Sequence, residues 1–173
     1  PSWRAPSCGC RGCGDLERYE FVVDAMLGDL AKWLRILGRS TFYEPYARDE
    51  DLLRVARDHN AVLVTRDRRL AELAEAEGVK AVYLGGVELG GALAELSRRF
   101  GVRLEVDLSD TRCPRCNGRL RAASRSEVEG RLPEGVAERY ELFLVCERCG
   151  QVYWPGSHLR RMREFLGNVR QRF

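Results

Sequence analysis

Residues 61–71 read AVLVTRDRRLA, and the change of period inside this stretch decides the fold. Residues 61–65 form a continuous apolar run, the pattern of a strand buried on both faces, as in a parallel sheet. Helical spacing then takes over at 68–77, and Gly78 supplies the stop. Asp67 stands between the two, just past the strand end. Working outward, the same alternation repeats. Residues 20–24 (EFVVD) read as a short buried strand, followed by Leu27, Leu30, Ala31, Leu34 and Leu37 at helical spacing and a stop at Gly38. Residues 40–43 are a weaker strand. Asp49, Glu50 and Asp51 place three carboxylates where the next helix begins, complementing its positive end; Leu52, Leu53, Val55 and Ala56 give its apolar face and Asn60 its end. A strand is expected over 80–84, a helix over 92–100 ending at Gly101, and a last, alternating strand over 102–108. Strands alternating with helices imply an α/β domain with a mostly parallel sheet covered by helices. The paired glycines at 85–86 and 90–91 read as turn signals and match neither the dinucleotide nor the P-loop fingerprint, so no dinucleotide cofactor is expected.

The chain has 173 residues, which at roughly 150 per domain suggests one domain with a small appendage. Hydrophobic residues make up 45 %, enough for a sizeable core, so the class of disordered chains is excluded. No apolar stretch approaches a membrane span, and no secretory signal opens the chain, so a cytoplasmic protein with no membrane partner is expected. All basic residues but Lys32 and Lys80 are arginine. The net charge of +3 hides a polarity: residues 1–109 carry 16 basic and 18 acidic groups, residues 110–173 carry 13 and 8. Three segments follow: an irregular cysteine-containing leader (1–18), the α/β domain (19–109), and a basic C-terminal part (110–173).

That last part holds Cys113-Pro-Arg-Cys116 and Cys146-Glu-Arg-Cys149, with 29 residues between them. Each pair is a tight knuckle presenting two thiolates, and two knuckles complete a tetrahedron around Zn²⁺. Asn117-Gly118 and Gly150 supply the turn chemistry that brings backbone amides near the sulfurs. Four thiolates leave no open coordination position, so the zinc is expected to be structural. A strand is expected over 140–145. Cys8, Cys10 and Cys13 in the leader either borrow a fourth ligand for a second metal or ligate nothing.

Ligands of open α/β sheets bind beyond the carboxyl ends of the strands. Asp24 ends the first strand, Asp67 follows the 61–65 strand, and Asp49 opens a helix that can lie on the same rim. Three converging carboxylates call for a cation, and hard oxygen ligands select Mg²⁺ or Mn²⁺, which activate water for displacement at phosphate. Each residue also has a plain structural reading: Asp49 and Asp51 as first-turn helix acids, Asp67 as a helix N-cap.

Six motifs occur in order: VDAMLGDLAKWLRILG at 23–38, DEDLL at 49–53, VLVTRDRRLA at 62–71, RCPRCN at 112–117, CERCG at 146–150 and VYWPGSH at 152–158. Together they resemble the Mut-seven C-terminal RNase family, a PIN-like nuclease domain followed by a zinc ribbon, over residues 20–167. The resemblance implies a three-layer α/β/α domain and metal-dependent hydrolysis of RNA phosphodiesters. It carries the catalytic acids onto Asp24, Asp49 and Asp67; Asp51 is a candidate fourth acid by proximity alone. The alternative is a non-catalytic RNA- or ribosome-binding module built on the ribbon.

Arginine forks bind phosphate bidentately, and aromatic rings stack unpaired bases. Candidate RNA contacts are therefore Arg35, Arg66, Tyr153, Trp154, His158, Arg160 and Arg161. Arg35 reaches a phosphate or pairs with an acid; His158 contacts phosphate or packs where ribbon and domain meet.

Overall fold

The computed structural model describes residues 18–173, so Cys8, Cys10 and Cys13 lie outside the described residues. Its first sheet contains β1 (Phe21–Val23), β2 (Thr41–Tyr43), β3 (Val62–Thr65) and β4 (Ala81–Tyr83), all parallel, in the order β2-β1-β3-β4. Alternate residues of the central strands enter opposite cores. Phe21, Val23, Val62 and Val64 pack with α1 (Gly28–Ile36) and α4 (Leu89–Phe100), while Val22 and Leu63 pack with α2 (Asp49–His59) and α3 (Arg68–Ala76). A strand covered on both faces has no side free for polar residues, which explains the unbroken apolar run at 61–65. The result is the expected three-layer α/β/α arrangement.

Local chemistry sets the helix ends. The Asp67 carboxylate caps α3 by accepting from the backbone N–H groups of Arg69 and Leu70, through Oδ1 at 2.8 and 3.3 Å. Asn60 closes α2 in the left-handed region, φ 49°, a conformation Asn tolerates better than most residues. A 3₁₀ turn at Ala25–Leu27 precedes α1.

Two expectations fail. Residues 102–108 form no strand. Val102 and Val106 are buried against α1 and α4, with Leu104 and Leu108 packed partly beside them. A strap pinned at alternate residues shows the period of a strand without a partner strand. The 90–91 glycines are also not a turn: α4 starts at Leu89 and carries both. A Cβ on Gly90 would stand 3.3 Å from Val169 Cγ2, so a closely packed neighbouring helix accounts for the small residue there.

That neighbour is the C-terminal helix, absent from the sequence reading. The segment from 110 onward forms β5 (Leu120–Ala123), the single-turn helices α5 (Arg125–Val128) and α6 (Val136–Arg139), β6 (Phe143–Cys146), β7 (Val152–Tyr153) and α7 (Ser157–Arg172). β5, β6 and β7 make an antiparallel sheet in that order; the strand expected over 140–145 sits at 143–146. Leu159, Met162, Leu166 and Val169 recur at helical spacing along α7. Leu166 is buried in the core shared by α1 and α4, and the Trp33 and Phe165 rings pack 5.0 Å apart. No helix among the described residues is long and apolar enough to cross a membrane.

Candidate functional site

Because the four strands run parallel, their carboxyl ends share one rim, and two of the sequence candidates, Asp24 and Asp67, stand at neighbouring strand ends there. Asp24 directly follows β1, Asp67 follows β3, and Asp49 is the first residue of the helix after β2. The helices following β1 and β3, α1 and α3, cover opposite faces of the sheet. The crevice between these neighbouring strand ends is thus the topological switch point, where open α/β sheets bind ligands. Asp24 is buried, 8 % exposed, although it follows an apolar strand. Its backbone N–H donates to Val64 O at 3.0 Å, and its Oδ2 accepts from Thr65 Oγ1 at 2.8 Å. Thr65 Oγ1 in turn accepts from the Asp67 backbone N–H at 2.9 Å. The Thr65 hydroxyl therefore links the two acids and fixes the loop that carries Asp67.

Asp49 and Asp67 are exposed. Asp51 is held by two arginines, Arg48 Nε at 3.3 Å and Arg54 Nη2 at 2.8 Å. Among the described residues, the four ribbon cysteines are the one group of three or more His, Cys, Asp or Glu side chains that brings its ligand atoms together around a shared point.

In that group every Sγ lies within 4.8 Å of the others, with Cys113–Cys149 at 3.6 Å and Cys116–Cys146 at 3.4 Å. Tetrahedral Zn²⁺ with Zn–S of ~2.3 Å requires S···S of ~3.8 Å, so spacing and donor chemistry both fit zinc. The knuckles close through Asn117 N–H to Cys113 O at 2.8 Å and Gly150 N–H to Cys146 O at 2.9 Å. Asn117 and Gly150 are left-handed, φ 68° and 74°. A Cβ on Gly118 would lie 2.9 Å from Cys146 Sγ, so glycine is required there. Burial pushes the free Cys116 thiol up to about 12; a bound cation is what makes such clustered thiolates favourable. The Tyr153 hydroxyl, 3.1 Å from Cys113 Sγ, is positioned to orient that sulfur, and burial pushes its ionisation upward.

Arg35 does not reach the rim. It is 5 % exposed; Nε and Nη2 donate to Thr41 O at 3.1 and 3.0 Å, and Nη1 to Pro114 O at 3.0 Å. Burial lowers its pKa. In place of the expected phosphate or acid, its partners are backbone carbonyls that tie α1, the start of β2 and the first knuckle together. Asn117 completes this seam: its Oδ1 accepts from Thr41 N–H at 2.8 Å and its Nδ2 donates to Ser40 Oγ at 3.1 Å. Sequence reading missed Asn117 because its left-handed turn role already accounted for it.

The other candidates are dispersed. Arg66 is exposed and donates to Val87 O at 2.8 Å. Trp154 and His158 line a small, mainly apolar cleft of about 100 Å³, with Tyr153 at its edge and Ile36, Leu108 and Leu159 in its walls. Arg160 is 75 % exposed and stands 4.0 Å from Glu164; Arg161 is exposed. Tyr153, Trp154, His158, Arg160 and Arg161 stand with the ribbon and α7, beside the end of α1 that leads into β2 and away from the carboxyl rim, whereas Arg66 directly follows β3 at that rim.

Comparison with curated proteins and with solved structures gave no match. A family model, the Mut7-C RNAse domain, matches residues 19–166, a span that takes in the parallel sheet, both knuckles and most of α7. The chain belongs to the Mut7-C RNAse domain family.

Proposed function

We propose that this protein is a metal-dependent ribonuclease that hydrolyses RNA phosphodiester bonds at the carboxyl rim of its parallel sheet, with the zinc ribbon helping to hold the RNA. The observation that carries this reading is Asp24: a buried acid ending the apolar central strand, bonded through Thr65 to the segment that presents Asp67, at the switch point of the sheet. An acid with only a structural role has no need of that position.

Asp24, Asp49 and Asp67 would hold Mg²⁺ or Mn²⁺. Mg²⁺ keeps several waters and takes one or two carboxylates together with substrate phosphate, so the donor set asked of this rim is smaller than a closed cage. When bound, such an ion activates water and offsets charge developing on the phosphoryl oxygens. The chain's own share is positional. Thr65 donates to Asp24 Oδ2, which fixes the carboxylate's rotamer and leaves Oδ1 outside that bond. Both capping bonds of Asp67 fall on its Oδ1, so capping α3 is compatible with ligation through Oδ2. Asp51, neutralised by Arg48 and Arg54, contributes no net negative charge and is not needed as a fourth ligand.

Incubating zinc-loaded protein with end-labelled single-stranded RNA, with and without Mn²⁺, tests the reading. Cleavage only with Mn²⁺ is the expected result. RNA affinity that falls steeply with salt but brings no turnover in Mn²⁺ or Mg²⁺ would replace it with the non-catalytic RNA-binding reading.

A further inference from the structure

Asp24, Thr65 and Tyr83 stand on one rung of the parallel sheet. Val23 is in register with Val64, and Thr65 with Tyr83. Val22, Leu63 and Ala81, each two residues earlier, pack into the core under α2 and α3, so the period of a strand sends all three rung residues to that same face. The bond between the Asp24 carboxylate and the Thr65 hydroxyl, 2.8 Å, agrees with this. Strands lie about 4.8 Å apart, which puts Tyr83 about 10 Å from Asp24 along the rung. β4 is an edge strand, and Tyr83 is 43 % exposed on it. Its ring is nevertheless held. The guanidinium carbon of Arg68, in the first turn of α3 and next to Asp67, lies over the ring, 5.2 Å from its centroid. The hydroxyl end of the ring passes so close to Gly85 that a Cβ there would overlap it. Gly86 is left-handed, φ 73°, whereas Gly85 is outside that region, so room for the Tyr83 ring is what requires glycine at 85. The rim also gathers apolar surface. Of the six large hydrophobic side chains left exposed among the described residues, Met26, Tyr46 and Tyr83 lie at or within three residues of the ends of β1, β2 and β4. Such grouping marks a contact surface, where single scattered exposure would not.

We infer that Tyr83, with Arg68 over it, is the subsite that stacks one unpaired base of the RNA beside the acids, and that it restricts the substrate to single strands. The inference rests on the ribonuclease reading for what the neighbouring acids do, though not for the binding itself. A base inside a duplex is already stacked on both faces, whereas an unpaired base can be splayed onto an aromatic ring or a guanidinium plane. Every base has such a face, so the subsite selects for strandedness and tolerates any sequence. Arg68 serves in two ways. Its plane extends the platform that the ring begins, and the N–H donors in that plane fork onto the phosphate of the same nucleotide. Charge on the loop favours the approach. Arg66, Arg68 and Arg69 flank Asp67 in the chain, and all three are exposed, so a polyanion meets guanidinium groups before it meets the acids. Tyr83 acts here as a specificity-determining residue and takes no part in the chemistry.

The test is fluorescence anisotropy with a short labelled oligoadenosine and zinc-loaded protein, without added Mg²⁺ or Mn²⁺. Tyr83→Ala should weaken binding by about ten- to a hundredfold, and Tyr83→Phe should bind as wild type does. The slope of log affinity against log salt should hold in Tyr83→Ala, because the ring carries no charge, and should flatten by about 0.7 in Arg68→Ala, one phosphate contact. Gly85→Ala leaves Tyr83 in the chain but drives its ring away, so it should weaken binding as Tyr83→Ala does. That variant covers the case in which Tyr83→Ala melts early. Annealing the oligoadenosine to its complement should cost wild type about tenfold or more in affinity and cost Tyr83→Ala much less. Unchanged affinity in both Tyr83→Ala and Gly85→Ala, equal binding of duplex and single strand by wild type, no binding by wild type, or a loss confined to Trp154→Ala in the ribbon would overturn the subsite. The two readings can fail separately. Mn²⁺-dependent cleavage by wild type with intact affinity in the Tyr83 and Gly85 variants sinks the subsite alone. Lost affinity in those variants, with no Mn²⁺-dependent cleavage by wild type, sinks the ribonuclease reading and keeps the subsite.

Discussion

The parallel sheet of residues 21–83 and the antiparallel sheet of residues 120–153 are similar in strand length and unlike in what holds them. The first is sandwiched between two apolar cores whose buried members include Leu30, Leu34, Leu93 and Leu96 on one face and Leu52, Leu53 and Leu70 on the other. The second has a core of four buried side chains, Val128, Phe143, Val145 and Val152. A core that small cannot offset the chain entropy of its segment, and a metal on the four-cysteine site would supply the missing stabilisation. The lesson concerns division of labour. The self-sufficient sheet can place a buried acid at its rim, which costs stability, while the ribbon would depend on a metal held by its four cysteines.

Zinc removal should break the comparison most severely. Metal binding in small zinc domains is worth on the order of 10 kcal/mol, so Cys146→Ser should abolish protection of the β6 amides in hydrogen exchange while β1 and β3 stay protected. Persistent protection of Leu144 and Val145 would mean that the ribbon core stands alone. Leu166→Ala should cost about 2–5 kcal/mol, measured by urea unfolding. Because Leu166 is packed with α1 and α4, the loss should appear in the first sheet and leave zinc affinity unchanged. Asn117→Ala strands the Thr41 N–H, worth about 1–3 kcal/mol, and adds about 1–2 kcal/mol of left-handed strain. Asn117→Gly keeps the first cost and removes the second, so it should be the milder variant by thermal melting. Arg160→Ala, on an exposed and loosely paired side chain, should shift stability by no more than about 0.5 kcal/mol.

What could be read from sequence follows from the same contrast. Strands buried on both faces leave continuous apolar runs, so residues 20–24 and 61–65 announced the parallel sheet, and the Cys-x-x-Cys spacing announced the metal because two thiols of one knuckle must be local. Residues 102–108 misled because period two reports alternate burial, which a strap achieves without a ladder. Helix α7 was hidden by its arginines, although Leu159, Met162, Leu166 and Val169 carry its apolar stripe. The start of α4 was missed because glycine disfavours a helix by about 1 kcal/mol, a local cost outweighed by the approach of Val169. For the site, order along the chain was enough to put Asp24 and Asp67 at neighbouring strand ends, since parallel strands share their carboxyl ends, while among the described residues only the four cysteines bring their ligand atoms together. The seam was not legible. Arg35 meets Thr41 six residues away, and Asn117 meets it across 76, distances at which no spacing rule operates.

The most direct test of the central claim is the initial rate of Mn²⁺-dependent RNA cleavage by Asp24→Asn against wild type, with zinc content and melting temperature measured on both. Loss of a metal-binding carboxylate removes several kcal/mol of transition-state stabilisation, so the rate should fall at least about a hundredfold while zinc content holds. Cleavage by the variant at the wild-type rate would contradict the assignment of the rim as the catalytic site.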